Sequence, residues 1–108
     1  MARLPNRNRK LTNAQDLLDV DRVIHEPARL AIMAVLAACE SADFVYLRNA
    51  TSMTQGNLSA HLRKLEEAGY ISIEKSFQNN KPNTLCRLTE KGSAAFKQYR
   101  AQVARLMK

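Results

Sequence analysis

The hydrophobic period of the chain changes at Gly69, and this change most constrains the fold. Before it, Leu58, Leu62 and Leu65 are spaced as one stripe of an amphipathic helix. After it, residues 70–75 alternate between apolar and polar side chains, as a half-buried strand does. Because helices commonly end at a glycine, this junction predicts a helix that leads directly into a small sheet.

The segment after the junction predicts a β-hairpin. Residues 78–83 are all turn-forming or polar side chains, and residues 84–88 form a second β-prone run. Residues 70–88 are therefore expected to be two strands joined by a turn. Helices are expected on both sides of this hairpin, at about 13–24, 27–38, 47–52, 55–68 and 89–107, with residues 44–46 as an edge strand or an extended link.

These elements predict one domain that is mainly α with a small β-hairpin (α+β). The 108 residues of the chain are enough for one such domain. We expect residues 1–11 to be a flexible basic arm and residues 12–108 to be the folded domain. No apolar run approaches the about 18 residues needed to cross a bilayer, and no apolar stretch follows the basic N-terminus as it would in a secretory signal. Because two cysteines also suit a reducing compartment, we expect a cytoplasmic protein without a membrane partner.

The charge of the chain points to a polyanionic partner. Seventeen Lys and Arg against ten Asp and Glu give a formal net charge of +7. The bases concentrate at both ends, whereas the acids concentrate in residues 11–46. An excess of positive charge on a small domain is typical of proteins that bind nucleic acid or an anionic surface.

The cysteines and histidines do not form a recognisable reactive site. Cys39 and Cys86 are too few for a disulfide framework and lack the spacing of metal ligands. We expect both to be buried, inert thiols and expect no metal or cofactor. No nucleophile–base pair and no glycine-rich phosphate loop is recognisable, so an enzyme is not expected.

The helix at 55–68 has an outer face suited to DNA. Gly56, Ser59, Ala60 and Arg63 lie opposite the leucine stripe, flanked by Asn57 and Lys64. Small side chains permit close approach, and amide and guanidinium groups pair with base edges in a major groove about 12 Å wide. An ordinary surface helix also has a polar outer face, so this helix alone does not establish function.

Three separated segments together resemble a known family. Residues 55–71 with a lysine-bearing hairpin behind them, the run Leu-Thr-Glu-Lys-Gly at 88–92, and residues 23–32 resemble winged helix-turn-helix transcription regulators of the MarR and ArsR type. The similarity is greatest to short, single-domain members. Glu26 departs from the family pattern, which usually has a serine cap there, and is expected to weaken the helix start.

This resemblance implies sequence-specific binding of double-stranded DNA by a transcriptional regulator. Helices 47–52 and 55–68 would form the helix-turn-helix, with 55–68 in the major groove. The hairpin would be the wing, with residues 76–83 on the backbone or in the minor groove. The implied DNA contacts are Thr54, Gln55, Asn57, Ser59, Ala60, Arg63 and Lys64, with Asn79, Asn80 and Lys81 at the wing tip.

The last helix carries a pattern independent of the family. Gly92, Phe96, Tyr99, Val103 and Leu106 are spaced 4, 3, 4, 3, as in a heptad seam. The seam favours a homodimer formed through helix 89–107 with help from the first helix, but it is also compatible with packing on the chain's own domain. The residues assigned to the interface are Leu17, Leu18, Phe96, Tyr99, Val103 and Leu106.

Two other functions remain open from the sequence. The same fold can be a module that binds protein or RNA, or the basic arm can lead a protein that coats DNA without sequence preference. A small-molecule effector could bind between the dimer helices and the reading domain, although no residue identifies one.

Overall fold

The computed structural model describes residues 14–15 and 17–107, and its architecture confirms the predicted winged-helix fold. The basic arm predicted at residues 1–11 lies outside the described residues. The elements are α1 (Pro27–Ala37), β1 (Ala42–Asp43), α2 (Phe44–Thr51), α3 (Gln55–Glu67), β2 (Ile71–Gln78), β3 (Lys81–Leu88) and α4 (Glu90–Leu106).

The predicted first helix ends earlier than expected. The described residues up to Leu18 are helical, whereas those from Asp19 to Glu26 form turns and bends, so the prediction of a helix to residue 24 was wrong. The cause is Asp21, whose Oδ1 accepts hydrogen bonds from the backbone N–H of Val23 at 2.8 Å and of Ile24 at 3.2 Å. An aspartate that bonds nearby backbone groups competes with helix formation.

Helix α1 begins at Pro27, as predicted, and its cap is an acid. The Glu26 Oε1 accepts a hydrogen bond from the Arg29 backbone N–H at 2.8 Å. The carboxylate therefore supplies the acceptor expected of a serine, and the departure at Glu26 does not leave the helix start uncapped. The inner side of α1 forms the centre of the core, with Ile32, Met33 and Leu36 fully buried.

Residues 44–46 are helical, so the prediction of a strand or link there was wrong. Asp43 caps α2, because its Oδ1 accepts a hydrogen bond from the Tyr46 backbone N–H at 2.7 Å. This cap overrides the β propensity of Phe44-Val45-Tyr46. The strand is confined to β1, in which Ala42 pairs with Cys86 and Asp43 with Leu85.

The hairpin lies where it was predicted, but its strands are longer and its turn is tighter. Strands β2 and β3 pair from Ile71 opposite Leu88 to Gln78 opposite Lys81, and β1 joins the other edge of β3. Only Asn79 (φ 53°) and Asn80 (φ 65°) form the turn. Two successive left-handed residues are typical of a type I′ turn, which matches the twist of the flanking strands.

Helix α4 docks closely on the base of the hairpin. Thr89 caps it, accepting from the Gly92 backbone N–H at 3.0 Å and donating its hydroxyl to the Gly69 carbonyl at 2.6 Å. A Cβ on Gly92 would lie 1.9 Å from the Tyr70 carbonyl oxygen. The glycine therefore permits the backbone contact that fixes the hairpin between α3 and α4.

A second contact ties the N-terminal turn to the hairpin. The Tyr70 hydroxyl donates a hydrogen bond to the Asp21 carboxylate. Desolvation first, and then this bond and the negative charge of Asp21, raise the pKa of Tyr70 to about 12. The Lys91 Nζ lies 5.7 Å from the centroid of the same ring, so Tyr70 joins three parts of the chain.

Candidate nucleic-acid interface

Helix α3 has the buried stripe and the cap that its sequence predicts. Leu58, Leu62 and Leu65 are buried. The Thr54 Oγ1 accepts a hydrogen bond from the Asn57 backbone N–H at 3.2 Å. Because the hydroxyl acts there as an acceptor, it still has a proton to donate to an anion beside the helix start.

The structure brings the predicted contact residues of α3 onto one accessible surface. Ser59 is half-buried, and the others are exposed. Gly56 lies at the start of this surface, and a Cβ built there meets no atom within 4 Å. Thr54, Gln55, Asn57, Ser59, Ala60, Arg63 and Lys64 all keep access to a partner.

One flank of this surface forms a groove with the hairpin. Gln55, Ser59 and Arg63 line its helix side, and Lys75 and Thr84 line its sheet side; we call it the helix–hairpin groove. Its volume is about 620 Å³. Arg63 and Lys75 make the groove cationic on both walls, although Glu66 also lines it, so a phosphate chain has complementary charge there.

The other flank is a second cationic depression, of about 380 Å³, lined in part by Arg22, Arg29, Lys64 and Glu67. Arg29 is held in place by its Nε, which donates to the Val23 carbonyl at 2.6 Å. Its Nη1 lies 3.3 Å from the His61 Nδ1. His61 therefore faces Arg29 from α3 and is not part of the outer surface.

The wing exposes all three of its predicted contacts at the tip. Asn79, Asn80 and Lys81 are exposed at the tip. Side chains alternate along a strand, so Lys81 lies on the face opposite to Lys75. That opposite face also carries Glu74 and Arg87, whose side chains approach to 4.0 Å.

One exposed wing residue was missed in the sequence. Phe77 is 75% exposed, close to the tip and opposite Pro82. The signal was available, because continuing the alternation of Ile71 and Ile73 places residue 77 on the same face. The residues predicted at the wing tip, Asn79, Asn80 and Lys81, are all polar.

Helix α4 buries three of its five heptad-seam residues within the chain. The sequence assigned Phe96 and Tyr99 to a contact between two copies, but the structure places both in the chain's own core, 6% and 5% exposed. The Tyr99 hydroxyl lies 2.8 Å from the His25 Nδ1, and the Arg100 guanidinium lies 5.6 Å from the centroid of Phe96. Gly92, also in the seam, packs against Tyr70.

The remaining interface candidates keep accessible surface. Leu17 and Leu18 are 39% and 66% exposed, and Val103 and Leu106 are half-buried. Among the described residues, these four predicted dimer contacts keep accessible surface, although Val103 also packs against the core.

The two cysteines differ in environment. Cys86 is fully buried, and burial together with the nearby Glu66 and Asp43 carboxylates raises the pKa of its thiol to about 11. Cys39 is only half-buried, so its expected burial is incomplete. Within residues 14–15 and 17–107, no group of three or more potential metal ligands comes together.

The family model described as a winged helix DNA-binding domain matches residues 28–107. Protein MJ0432 of Methanocaldococcus jannaschii is 36% identical over 87 residues, which cover 81% of this chain and 95% of that protein. The chain therefore belongs to the winged helix DNA-binding domain family.

Among the described residues, no helix is both long and apolar enough to cross a membrane.

Solved structures agree on the fold. The transcriptional regulator homologue from Pyrococcus horikoshii OT3 superposes with a TM-score of 0.81 at 24% identity, covering 89% of this chain and 94% of that one. Wild-type MarR from E. coli, in its apo form, superposes with a TM-score of 0.65 at 18% identity, covering 95% and 78%. The sequence resemblance to MarR-type proteins is thus confirmed at the level of fold.

Proposed function

We propose that this protein is a homodimeric transcriptional regulator that binds a specific site in double-stranded DNA. The observation that carries the proposal is the accessible, small and basic face of α3 beside the cationic helix–hairpin groove. Family membership supports DNA as the partner, and the net charge of +7 suits a phosphate backbone.

The side chains of α3 divide into two tasks. Gln55 and Asn57 have the amide groups that pair with adenine, and Arg63 has the guanidinium that pairs with guanine. Thr54 and Lys64 are placed for phosphates, as is Lys81 on the wing, and these contacts fix the register without reading sequence. Ser59 and Ala60 permit the backbone of α3 to approach the bases closely.

The first experiment is a fluorescence anisotropy titration of labelled duplexes. It compares the region upstream of the protein's own gene with a scrambled duplex of equal length, at about 50 and 200 mM salt. A preference of about 10³ or more at both salt concentrations is the expected result. Equal binding that collapses at higher salt would identify a nonspecific DNA-coating protein instead.

Two variants test the assignment of the surface. Arg63→Ala should cost about 1–3 kcal/mol of binding free energy and relax the preference at one base pair. Lys81→Ala should weaken binding to all sequences and reduce the salt slope by about one unit. Lys97→Ala is the matched control, because Lys97 is exposed on α4 in a depression shared with Glu40 and away from α3.

If wild-type protein binds no duplex and the Arg63 and Lys81 variants behave like it, the protein is better explained as a module for protein or RNA. The same titration with a single-stranded or hairpin RNA of equal length separates these two partners.

The dimer is proposed to form through Leu17, Leu18, Val103 and Leu106. A two-fold dimer would hold two α3 helices about 34 Å apart and require a near-palindromic operator. Sedimentation equilibrium should show a dimer that Leu18→Asp weakens. Val45→Asp is the control, because Val45 is similarly exposed (55%) but lies on α2. A monomeric wild-type protein at micromolar concentration would remove dimerisation from the proposal.

A further inference from the structure

The tip of the hairpin carries an apolar pair that the fold does not use. Phe77 and Pro82 face each other across β2 and β3, and both are exposed. Directly opposed residues on one face of a sheet have Cβ atoms about 5 Å apart, so the two rings form one small apolar surface. With 75% of Phe77 accessible, this surface contributes little to the core.

Phe77 and Pro82 lie at the far end of the hairpin face that packs on the core. This face begins in the core at Ile71 and Cys86, which are 2% and 0% exposed. It continues at Lys75 along the helix–hairpin groove and ends at Phe77. From Ile73 to Phe77 the strand advances about 13 Å, which carries the phenyl ring beyond the core on the side that faces α3.

The surroundings of the pair favour a nucleic acid over a second protein. Lys75 lies on the same face, Lys81 on the opposite face, and the Asn79-Asn80 turn closes the tip. The area that two apolar side chains can bury is far below the about 800 Å² that each partner buries in a stable protein interface. An apolar side chain flanked by cations matches the surface of a DNA groove, with bases inside and phosphates at the rims.

We propose that Phe77 enters the DNA minor groove next to the segment read by α3 and makes an apolar contact with the bases and sugars there. Pro82 supports the ring from the neighbouring strand, and the tight asparagine turn keeps the tip narrow. This inference rests on the proposed DNA binding and deepens it: the wing adds an apolar contact to its phosphate contacts. Apolar side chains that enter this groove partly unstack a base step.

The decisive test compares Phe77→Ala with wild type on the upstream duplex, in the same anisotropy titration. We expect about 10-fold weaker binding with an unchanged salt slope, because no phosphate contact is lost. Phe77→Leu, which keeps an apolar side chain, should retain most of the affinity. A second measurement places the fluorescent base 2-aminopurine at successive positions of the duplex. Because its fluorescence rises when the base unstacks, wild type should raise the fluorescence at one base step and Phe77→Ala should not.

Met107→Ala is the matched control, because Met107 is 77% exposed and lies at the end of α4. It should bind like wild type. Circular dichroism melting should show that Phe77→Ala is folded, as expected for a side chain so exposed.

Three outcomes would overturn the inference. If wild type binds the duplex and Phe77→Ala binds equally well, the apolar contact is absent while the proposed function stands. If Phe77→Ala changes the oligomeric state in sedimentation, the ring belongs to a contact between copies. If wild type binds no duplex at all, the proposed function fails first and this inference fails with it.

Discussion

Glycine has different roles at two positions of this chain: at one it permits close packing, and at the other it keeps a surface open. Gly92 is enclosed by the backbone of Tyr70, whereas Gly56 faces open space at the start of α3. The same substitution should therefore act in opposite directions at the two positions.

Gly92→Ala should destabilise the fold by about 3 kcal/mol, the upper part of the usual range for overpacking. The added methyl would clash with the Tyr70 carbonyl oxygen, which accepts a hydrogen bond from the Thr89 backbone N–H at 3.0 Å. Relieving the clash requires moving backbone on one side of this contact. Urea denaturation measures this change. An unchanged free energy of unfolding would mean that α4 does not dock on Tyr70 as described.

Gly56→Ala should stabilise the protein by about 0.5–1 kcal/mol, because alanine replaces glycine within a helix at an open site. The same variant should weaken binding to the upstream duplex if α3 approaches the bases at Gly56. Denaturation and anisotropy on one preparation measure both effects. Equal DNA affinity would exclude close approach at this position.

Side-chain caps decide where the helices of this fold begin. Asp43→Ala should destabilise the protein by about 1 kcal/mol, because the first turn of α2 loses its acceptor for the Tyr46 N–H. Asp43→Asn is the control, since an asparagine amide oxygen caps nearly as well. The measurement is again urea denaturation; a loss of equal size in both variants would show that charge, not capping, is what Asp43 contributes.

These local hydrogen bonds also explain which helices and strands could be predicted from the sequence and which could not. Helix α3 and the hairpin were predictable, because a leucine stripe, a glycine end and strict alternation follow one another without conflict. Residues 44–46 and 19–24 were not, because Asp43 and Asp21 form local hydrogen bonds that hydrophobic periodicity does not report. The predicted turn was too long for a related reason: Pro82 and Asn83 favour turns, but Pro82 lies in the part of β3 that β1 does not reach, where its nitrogen owes no hydrogen bond to a neighbouring strand.

The candidate site was predictable where exposure follows from helix period, as along α3. The heptad seam of α4 was less informative, since spacing shows that a stripe is buried and does not identify what covers it. His25, the core and the base of the hairpin cover Phe96 and Tyr99. Phe77 was missed because an apolar residue in a strand is ordinarily expected to face the core.

Tyr70 makes the stability of the whole fold depend on pH in the alkaline range. Its pKa is raised to about 12 in the folded chain and is about 10 when unfolded. The folded state therefore retains a proton that the unfolded state loses, and stability falls as pH rises from about 10 to about 12. Below pH 10 this contribution is fully present.

Denaturation of wild type and Tyr70→Phe at pH 9 and pH 11 separates this loss from that of Cys86, whose raised pKa acts in the same direction. Tyr70→Phe should remove this part of the pH dependence, because phenylalanine does not titrate, and should lower stability at pH 9 by removing the bond to Asp21. Tyr46→Phe is the control, as Tyr46 is 53% exposed. If Tyr70→Phe loses as much stability as wild type between the two pH values, Tyr70 is not the coupled group.

The shortness of β1 has a consequence for self-association. It covers β3 only at Leu85 and Cys86, so within residues 14–15 and 17–107 no strand lies beside the outer edge of β3 toward the tip, a position where another chain can add by backbone pairing. Pro82 lies opposite Phe77 in a pair that does not exchange hydrogen bonds with β2, and its ring nitrogen occupies the place of an outward-pointing donor. The hairpin can therefore project from the domain without offering a continuous template for fibril growth.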